Sequence, residues 1–241
     1  MTQYIYGKNV VNNMLKHKRD IKVLYVQESH KNDPLVQLAN KQGLMVKQLP
    51  RKEMDKLVSG NHQGYIAQIQ EYKTYDLAEL LECIPSNKTP LLVACDELKD
   101  PQNLGAILRT MACVDGDGVI IEKNRSVSLN ATVAKVSVGA IDTIKVAQVT
   151  NLSQTLKQLK KEGYWIIGTD VNEAQDYRQL DYNMPIVLVI GSEASGMRRL
   201  VAEECDFKVK IPMHGEVGSL NAAVACGILL YQIYSQRFPL K

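Results

Sequence analysis

The chain has 241 residues, 45% of them hydrophobic and 23% charged, with a formal net charge of +3. That balance excludes a disordered or fibrous chain, and the length suits a small module joined to a larger domain and leaves no room for a third. No apolar run reaches the span of a bilayer, and residues 1–7 lack the basic-then-apolar layout of a secretion signal, so a cytoplasmic protein with no membrane partner is expected.

The five cysteines are odd in number and widely spaced, with no Cys-x-x-Cys pair, and the four histidines are equally scattered. They read as reduced, mostly buried thiols with no metal site. Charge is uneven along the chain. Residues 1–72 hold 11 basic against 6 acidic residues, a net +5, residues 73–89 hold 2 against 3, and residues 90–241 hold 16 against 17. A basic module beside a near-neutral one fits a division of labour in which the first attracts a polyanion. A solvated lysine-rich surface fits the charge equally well.

In chain order, Val10, Val11, Met14 and Leu15 recur at helical spacing across residues 7–17, and residues 21–26 form a β-rich run. Asp33-Pro34 opens a second helix that Gly43 stops. A strand at 44–49, a short helix at 52–58 and a strand at 65–69 complete a compact α/β domain over residues 1–72. Residues 73–89 combine a short helix at 77–81 with Pro85-Ser86-Asn87-Lys88 and read as a linker. From residue 90 to 241 the alternation restarts. Residues 91–95 and 118–121 are continuous apolar runs suited to strands buried on both faces, with a helix at 104–111 between them. Further strands are expected at 144–147, 165–168, 186–190 and 207–211, and helices at 131–136, 152–162, 197–203 and 220–236. This second domain reads as α/β with a mostly parallel sheet.

Three loops carry candidate chemistry. After residue 95 there is no Gly-x-Gly-x-x-Gly turn. The chain runs Asp96 to Thr110 into a helix whose buried stripe is Leu104, Ile107, Leu108 and Met111, leaving Asn103 and Arg109. Locally Asn103 serves as a helix N-cap and Arg109 as a surface arginine, unless a polyanion lies along the helix start and touches both. The second loop is Gly191-Ser192-Glu193-Ala194-Ser195-Gly196-Met197. Its small residues let a ligand approach backbone N–H groups, but Glu193 would repel phosphate, so a neutral or cationic ligand fits better. A tight turn whose acid favours the helix dipole reads the same way. In the third, residues 211–221, Ser219 can cap the last helix and the Asn221 amide can donate and accept. The small residues that follow allow close approach of another element or subunit.

Taken together, Asn-Leu-Gly-Ala-Ile-Leu-Arg-Thr at 103–110, Gly-Ser-Glu-x-x-Gly-Met at 191–197 and Ile-Pro-Met-x-Gly-x-x-x-Ser-Leu-Asn at 211–221 resemble the three signature motifs of the SpoU (TrmH-type) RNA ribose methyltransferases of the SPOUT class. The match spans residues 91–236. Residues 1–72, with Gly60-Asn61-His62-Gln63-Gly64, resemble the ribosomal-protein-like substrate-binding module of bacterial members. The resemblance is closest to the branch that methylates a guanosine of 23S ribosomal RNA. It implies a trefoil knot in the C-terminal domain, against the general rule, and a homodimer. It also implies S-adenosylmethionine held against Gly191, Ile211 and Leu220, with Asn103, Arg109, Glu193, Ser219 and Asn221 as the catalytic set. Ala194, Val114-Asp115-Gly116-Asp117 and Gly218 depart from the usual pattern, which bears on loop geometry and cofactor affinity more than on reaction type.

Transfer of a methyl group to a ribose 2′-hydroxyl needs that oxygen in line with the methyl and relieved of its proton. Arg109 would favour the developing alkoxide and grip the adjacent phosphate. A guanidinium is too basic to take the proton itself. Glu193, Ser219 and Asn221 would hold loop, cofactor or ribose, and a carboxylate suits a cationic cofactor. Two alternatives stay open: a tRNA methyltransferase of the same family, which usually relies on short basic terminal extensions, and a non-catalytic RNA-binding ribosome-assembly factor. Retention of all five polar motif residues argues against the latter.

Overall fold

Strand β1 (Thr2–Tyr6) turns into helix α1 (Lys8–Lys16) at Gly7, whose φ of +104° is open to glycine without strain. The computed structural model describes residues 2–16, 21–70, 72–170, 174–193, 195–216 and 218–239. It divides into two units, residues 1–72 with 129–131, and residues 73–128 with 132–241.

In the first unit β2 (Ile21–Gln27), α2 (Pro34–Lys41), β3 (Met45–Leu49), α3 (Arg51–Leu57) and β4 (Tyr65–Gln70) follow. The sheet order is β1-β4-β2-β3, with β4 antiparallel to both neighbours and β3 parallel to β2. Ile5, Val11, Leu15, Leu24, Val26, Leu35 and Tyr65 fill the core. Helix α2 starts as its sequence dictates: Asp33 accepts from the Leu35 N–H at 2.9 Å and Pro34 takes the first position. Lys8 Nζ, 2.7 Å from the same carboxylate, holds the Asp33 carboxyl down at about 2. Periodicity misses β1, because buried Ile5 stands between two half-buried tyrosines, Tyr4 and Tyr6, and its pairing partner lies some sixty residues away. The expected helix end at residue 17 falls outside the described residues.

The second unit opens with α4 (Leu77–Glu82), started by a capping box in which Glu79 N donates to Asp76 Oδ1 at 2.8 Å and Asp76 N to Glu79 Oε2 at 2.9 Å. There follow β5 (Leu91–Cys95), α5 (Pro101–Cys113), β6 (Gly118–Glu122), α6 (Ala131–Ser137), α7 (Ala140–Thr143), β7 (Lys145–Val149), α8 (Leu152–Lys161), β8 (Trp165–Thr169), β9 (Gln175–Asp176), β10 (Ile186–Ile190), α9 (Arg199–Ala202), β11 (Phe207–Lys210) and α10 (Ala222–Arg237). The seven strands lie in the order β7-β6-β5-β10-β8-β11-β9, every pairing parallel. Every residue of β5, β6 and β10 is buried, as the apolar runs 91–95, 118–121 and 186–190 require, and β6 ends on the buried carboxylate of Glu122. The last two helices begin at Arg199 and Ala222, each two residues later than periodicity suggests.

Residues 73–89, read from composition as a linker, are packed into this unit. Leu77 and Leu80 join the core, the Tyr75 backbone pairs with β7, and Lys88 Nζ sits 2.9 Å and 2.8 Å from Asp115 and Asp117. The chain builds outward from β5 through β6 to β7, then places β8, β11 and β9 on the other side, with β10 inserted beside β5. The order thus reverses next to β5, and the carboxyl ends of the strands there form the crevice in which α/β sheets bind ligands. Among the described residues no helix is long and apolar enough to cross a membrane.

Because Leu80 is fully buried in the second unit, Leu80→Ala is expected to cost about 2–5 kcal/mol in urea denaturation, whereas a residue on a loose tether would cost within roughly 0.5 kcal/mol.

Candidate active site

The loop after β10 is folded on itself. Ser192 and Gly196 exchange backbone hydrogen bonds at 3.0 and 2.9 Å, and the Ser192 and Ser195 hydroxyls lie 2.7 Å apart. Gly196 takes a φ of +66° to close the turn, and a Cβ on Gly191 would run into the backbone of Gly196 and Met197. Both glycines of the second motif are therefore structural requirements. In the first motif a Cβ on Gly105 would come within 2.6 Å of Val136 on α6, so this glycine sets the approach of α6 to α5.

One hydrogen-bonded knot of side chains joins the three motifs. Asn103 Nδ2 donates to Glu193 Oε1 at 2.9 Å, and Asn221 Nδ2 donates to Asn103 Oδ1 at 2.8 Å and to the same Glu193 oxygen at 2.5 Å. The Ala222 N–H adds a bond to that oxygen at 3.3 Å. Asn221 Oδ1 accepts from Ala223 and Val224 N–H, so Asn221 caps α10. Glu193 thus places negative charge at the start of a 16-residue helix, where the dipole favours it. Two local readings of the sequence are corrected here. Asp100, accepting from Gln102 N–H at 2.8 Å, caps α5 in place of Asn103. Asn221 caps α10 in place of Ser219, which is exposed.

Beside this network lies a cavity of about 510 Å³ at the carboxyl ends of β8, β10 and β11, reached by Thr169, Gly191 and Ile211. Glu193, Ser219 and Leu220 also line it, so five of the eight residues singled out from sequence share one pocket. Asn103 and Asn221 are tied to its rim through Glu193. Arg109 is not brought to it: the side chain is exposed on α5, without a hydrogen bond or ion pair among the described residues. Six residues beyond Asn103, it stands about 9 Å further along the helix axis.

Sequence reasoning missed Arg198. Its backbone N–H and Nε donate to Asp96 at 2.7 and 2.6 Å, and Nη2 reaches Glu122 at 2.6 Å. Asp96 is completely buried and Glu122 nearly so. Burial lowers the Arg198 pKa, but the bonds to both carboxylates outweigh it and the net direction is upward. The adjacent Arg199 instead pairs with Glu203 on the surface. Nothing in the dipeptide Arg198-Arg199 separates the two roles.

All five cysteines are free. Cys95 and Cys226 are buried, but Cys83 and Cys113 are exposed, so the expectation of mostly buried thiols holds only for part of the set. Burial pushes the Cys95 thiol up to about 12, which keeps it protonated and unreactive. No group of three or more His, Cys, Asp or Glu among the described residues could hold a metal ion.

A parallel sheet with its order reversed beside β5, and a crevice walled by three polar loops, is the frame of an α/β enzyme that holds a small ligand at its strand ends. Residues 90–231 match the SpoU rRNA methylase family, and residues 4–75 match the RNA 2′-O ribose methyltransferase substrate-binding family. The chain is 46% identical over 240 residues to YacO of Bacillus subtilis, named as a TrmH family tRNA/rRNA methyltransferase, covering 98% of this chain and 96% of that one. Its fold is similar to that of the AdoMet-bound rRNA methyltransferase from Sinorhizobium meliloti, with TM-score 0.74, 24% identity, and 100% of this chain and 88% of that one covered. The SpoU methyltransferase AviRb from Streptomyces viridochromogenes, in complex with AdoMet, gives TM-score 0.75 at 20% identity over 98% of this chain and 90% of that one. The chain belongs to the SpoU family and is an RNA 2′-O-ribose methyltransferase.

Glu193→Ala would leave the buried Asn103 amide without its acceptor, and a loss of about 1–3 kcal/mol is expected in thermal or urea unfolding. Ser219→Ala, at an exposed position, should stay within roughly 0.5 kcal/mol of wild type.

Proposed function

We propose that the enzyme transfers the methyl group of S-adenosylmethionine to the ribose 2′-hydroxyl of a guanosine in 23S ribosomal RNA, in the cytoplasm and as a homodimer. In this reading residues 1–72 bind the RNA, and residues 90–241 carry the knotted chain path that the resemblance implies. The observation that carries the proposal is the Asn103–Glu193–Asn221 network at the rim of a single cavity.

The cavity suits the cofactor. Its volume lies in the range of small-ligand sites. Ile190, Met197, Ile211 and Leu220 offer apolar wall for an adenine, and the absent Cβ of Gly196, beside open space, lets a ligand approach the backbone. Thr169, Ser192 and Ser219 supply hydroxyls for a ribose or amino-acid moiety, and the fixed carboxylate of Glu193 suits a cation. S-adenosylmethionine, when bound, supplies an electrophilic methyl group on a sulfonium.

Gly191, Ile211 and Leu220 hold the cofactor in this account. Asn103, Glu193 and Asn221 act by position, since their polar atoms are engaged with one another and with the start of α10. Ser219, exposed at the pocket edge, faces the incoming ribose. Arg109, without a hydrogen bond or ion pair among the described residues, grips the RNA phosphate beside the target nucleotide and stabilises the developing alkoxide. The protonated guanidinium does both without taking up a proton. A nucleotide lying along the start of α5 would connect Arg109 to the network. The net +5 of residues 1–72 supports their role as the RNA-attracting module. Val224, Tyr231, Tyr234 and Phe238, 38–58% exposed on and just beyond α10, offer an apolar face for a second copy.

Ribose-methylation mapping of total RNA from a deletion strain tests the substrate. Loss of one 2′-O-methylguanosine from 23S RNA is expected, loss from tRNA would establish the tRNA reading, and no loss would leave a non-catalytic binder. In the purified protein Arg109→Ala should lower transfer by roughly 100-fold or more while the Kd for S-adenosylmethionine stays within threefold of wild type. Wild-type turnover in that variant would refute the role given to the arginine.

A further inference from the structure

The loop over residues 191–197 makes one wall of the cavity, so its shape before ligand arrives bears directly on affinity. Its internal bonds, Ser192 with Gly196 and Ser192 with Ser195, fix the tip but not its attitude to the sheet. Glu193 ties one side of the loop to Asn103 and Asn221. The other side ends at Arg198, immediately after the cavity-lining Gly196 and Met197.

Arg198 reaches into two adjacent parallel strands. Its N–H and Nε hold both oxygens of Asp96 at the end of β5, and Nη2 holds Glu122 at the end of β6. These strands are locked in register by the pairing of Cys95 with Ile121, so the two acids form a rigid base. The other Glu122 oxygen accepts from Leu152 N–H at the start of α8, at 3.3 Å. Two buried carboxylates are thereby balanced by one guanidinium and a helix N-terminus. The planar fork meets the two acids from separate nitrogens, Nε and Nη2, in a fixed geometry that a single lysine ammonium lacks. Arg198 itself does not line the cavity.

We propose that Arg198 is a positioning residue for the cofactor pocket, latching the 191–197 loop to β5 and β6 through Asp96 and Glu122 so that the loop already holds its binding shape in the empty protein. This rests on S-adenosylmethionine being the ligand of the cavity. With the latch broken, only a fraction of molecules holds the competent loop, and the apparent Kd rises by the inverse of that fraction. Bound cofactor selects the same loop shape, so turnover at saturation is preserved. General destabilisation behaves differently: it removes active molecules and leaves the Kd of the remainder unchanged.

The test compares wild type, Arg198→Met and Arg198→Lys, with Glu122→Gln as the milder lesion should Arg198→Met not fold. In Arg198→Met the Kd for S-adenosylmethionine by calorimetry is expected to rise at least tenfold, with kcat at saturating cofactor within threefold. In cofactor-free protein, amide hydrogen exchange at position 198, whose N–H donates to Asp96, should quicken at least tenfold. Arg198→Lys should fall between wild type and Arg198→Met on both scales, and Glu122→Gln should raise the Kd at least threefold. Unchanged exchange and a Kd within twofold of wild type in these variants would overturn the latch. Failure of the wild-type protein to bind S-adenosylmethionine would overturn the cofactor reading instead, and the exchange measurement would still decide whether Arg198 holds the loop.

Discussion

A single carboxylate oxygen, Glu193 Oε1, accepts hydrogen bonds from Asn103, Asn221 and the Ala222 backbone, and so holds together segments 90 and 28 residues away in the chain. The choice of glutamate follows from what it faces. Three donors converge at the N-terminus of α10, and an ionised carboxylate is an acceptor without a hydrogen to put in their way. A glutamine there would risk turning its amide toward them. Bonds to a charged acceptor contribute about 1.5–3 kcal/mol each, whereas doubling the length of the loop closed costs only about 0.6 kcal/mol more, so sequence separation is a minor obstacle once strands β5 and β10 bring the segments close.

With that network in place, the rest of the site divides its tasks by location. The strand ends of β8, β10 and β11 wall the cavity with backbone and apolar side chains, which suits recognition of a ligand by shape. Polar motif residues that sequence groups together as catalytic separate physically into two kinds. Asn103, Glu193 and Asn221 bond to one another, while Arg109 and Ser219 are exposed with no side-chain hydrogen bond among the described residues. Among the described residues the exposed pair is free to meet RNA, and Arg109 carries the charge suited to phosphate.

The buried strands were the most legible part of the fold, because a strand covered on both faces is built on a continuous apolar run, as residues 91–95, 118–121 and 186–190 are. Strand β1 and the two-residue β9 owe their existence to distant pairing and left no local period to read. Residues 73–89 looked like a tether because Pro85, Ser86 and Asn87 dominate their end, while the two leucines that bury α4 are too few to signal a packed layer. In the site, Gly191, Ile211 and Leu220 were assigned to one pocket through the family resemblance of the motifs, and all three line the cavity. The cap assignments of Asn103 and Ser219 failed because nearer or later residues, Asp100 and Asn221, satisfied those helix ends. Arg198 was invisible because its partners Asp96 and Glu122 lie 102 and 76 residues earlier.

The central claim is that three loops converge to aim a cofactor methyl group at a sugar oxygen. The most direct measurement supplies the purified full-length protein with S-adenosylmethionine deuterated in its methyl group and with unmethylated ribosomal RNA, then identifies the labelled nucleoside by mass spectrometry. The account predicts the heavy methyl on the ribose of a single nucleoside type, in a linkage that protects the adjacent phosphodiester from alkali. Label on a base, or none on RNA under conditions where the cofactor binds, would contradict it.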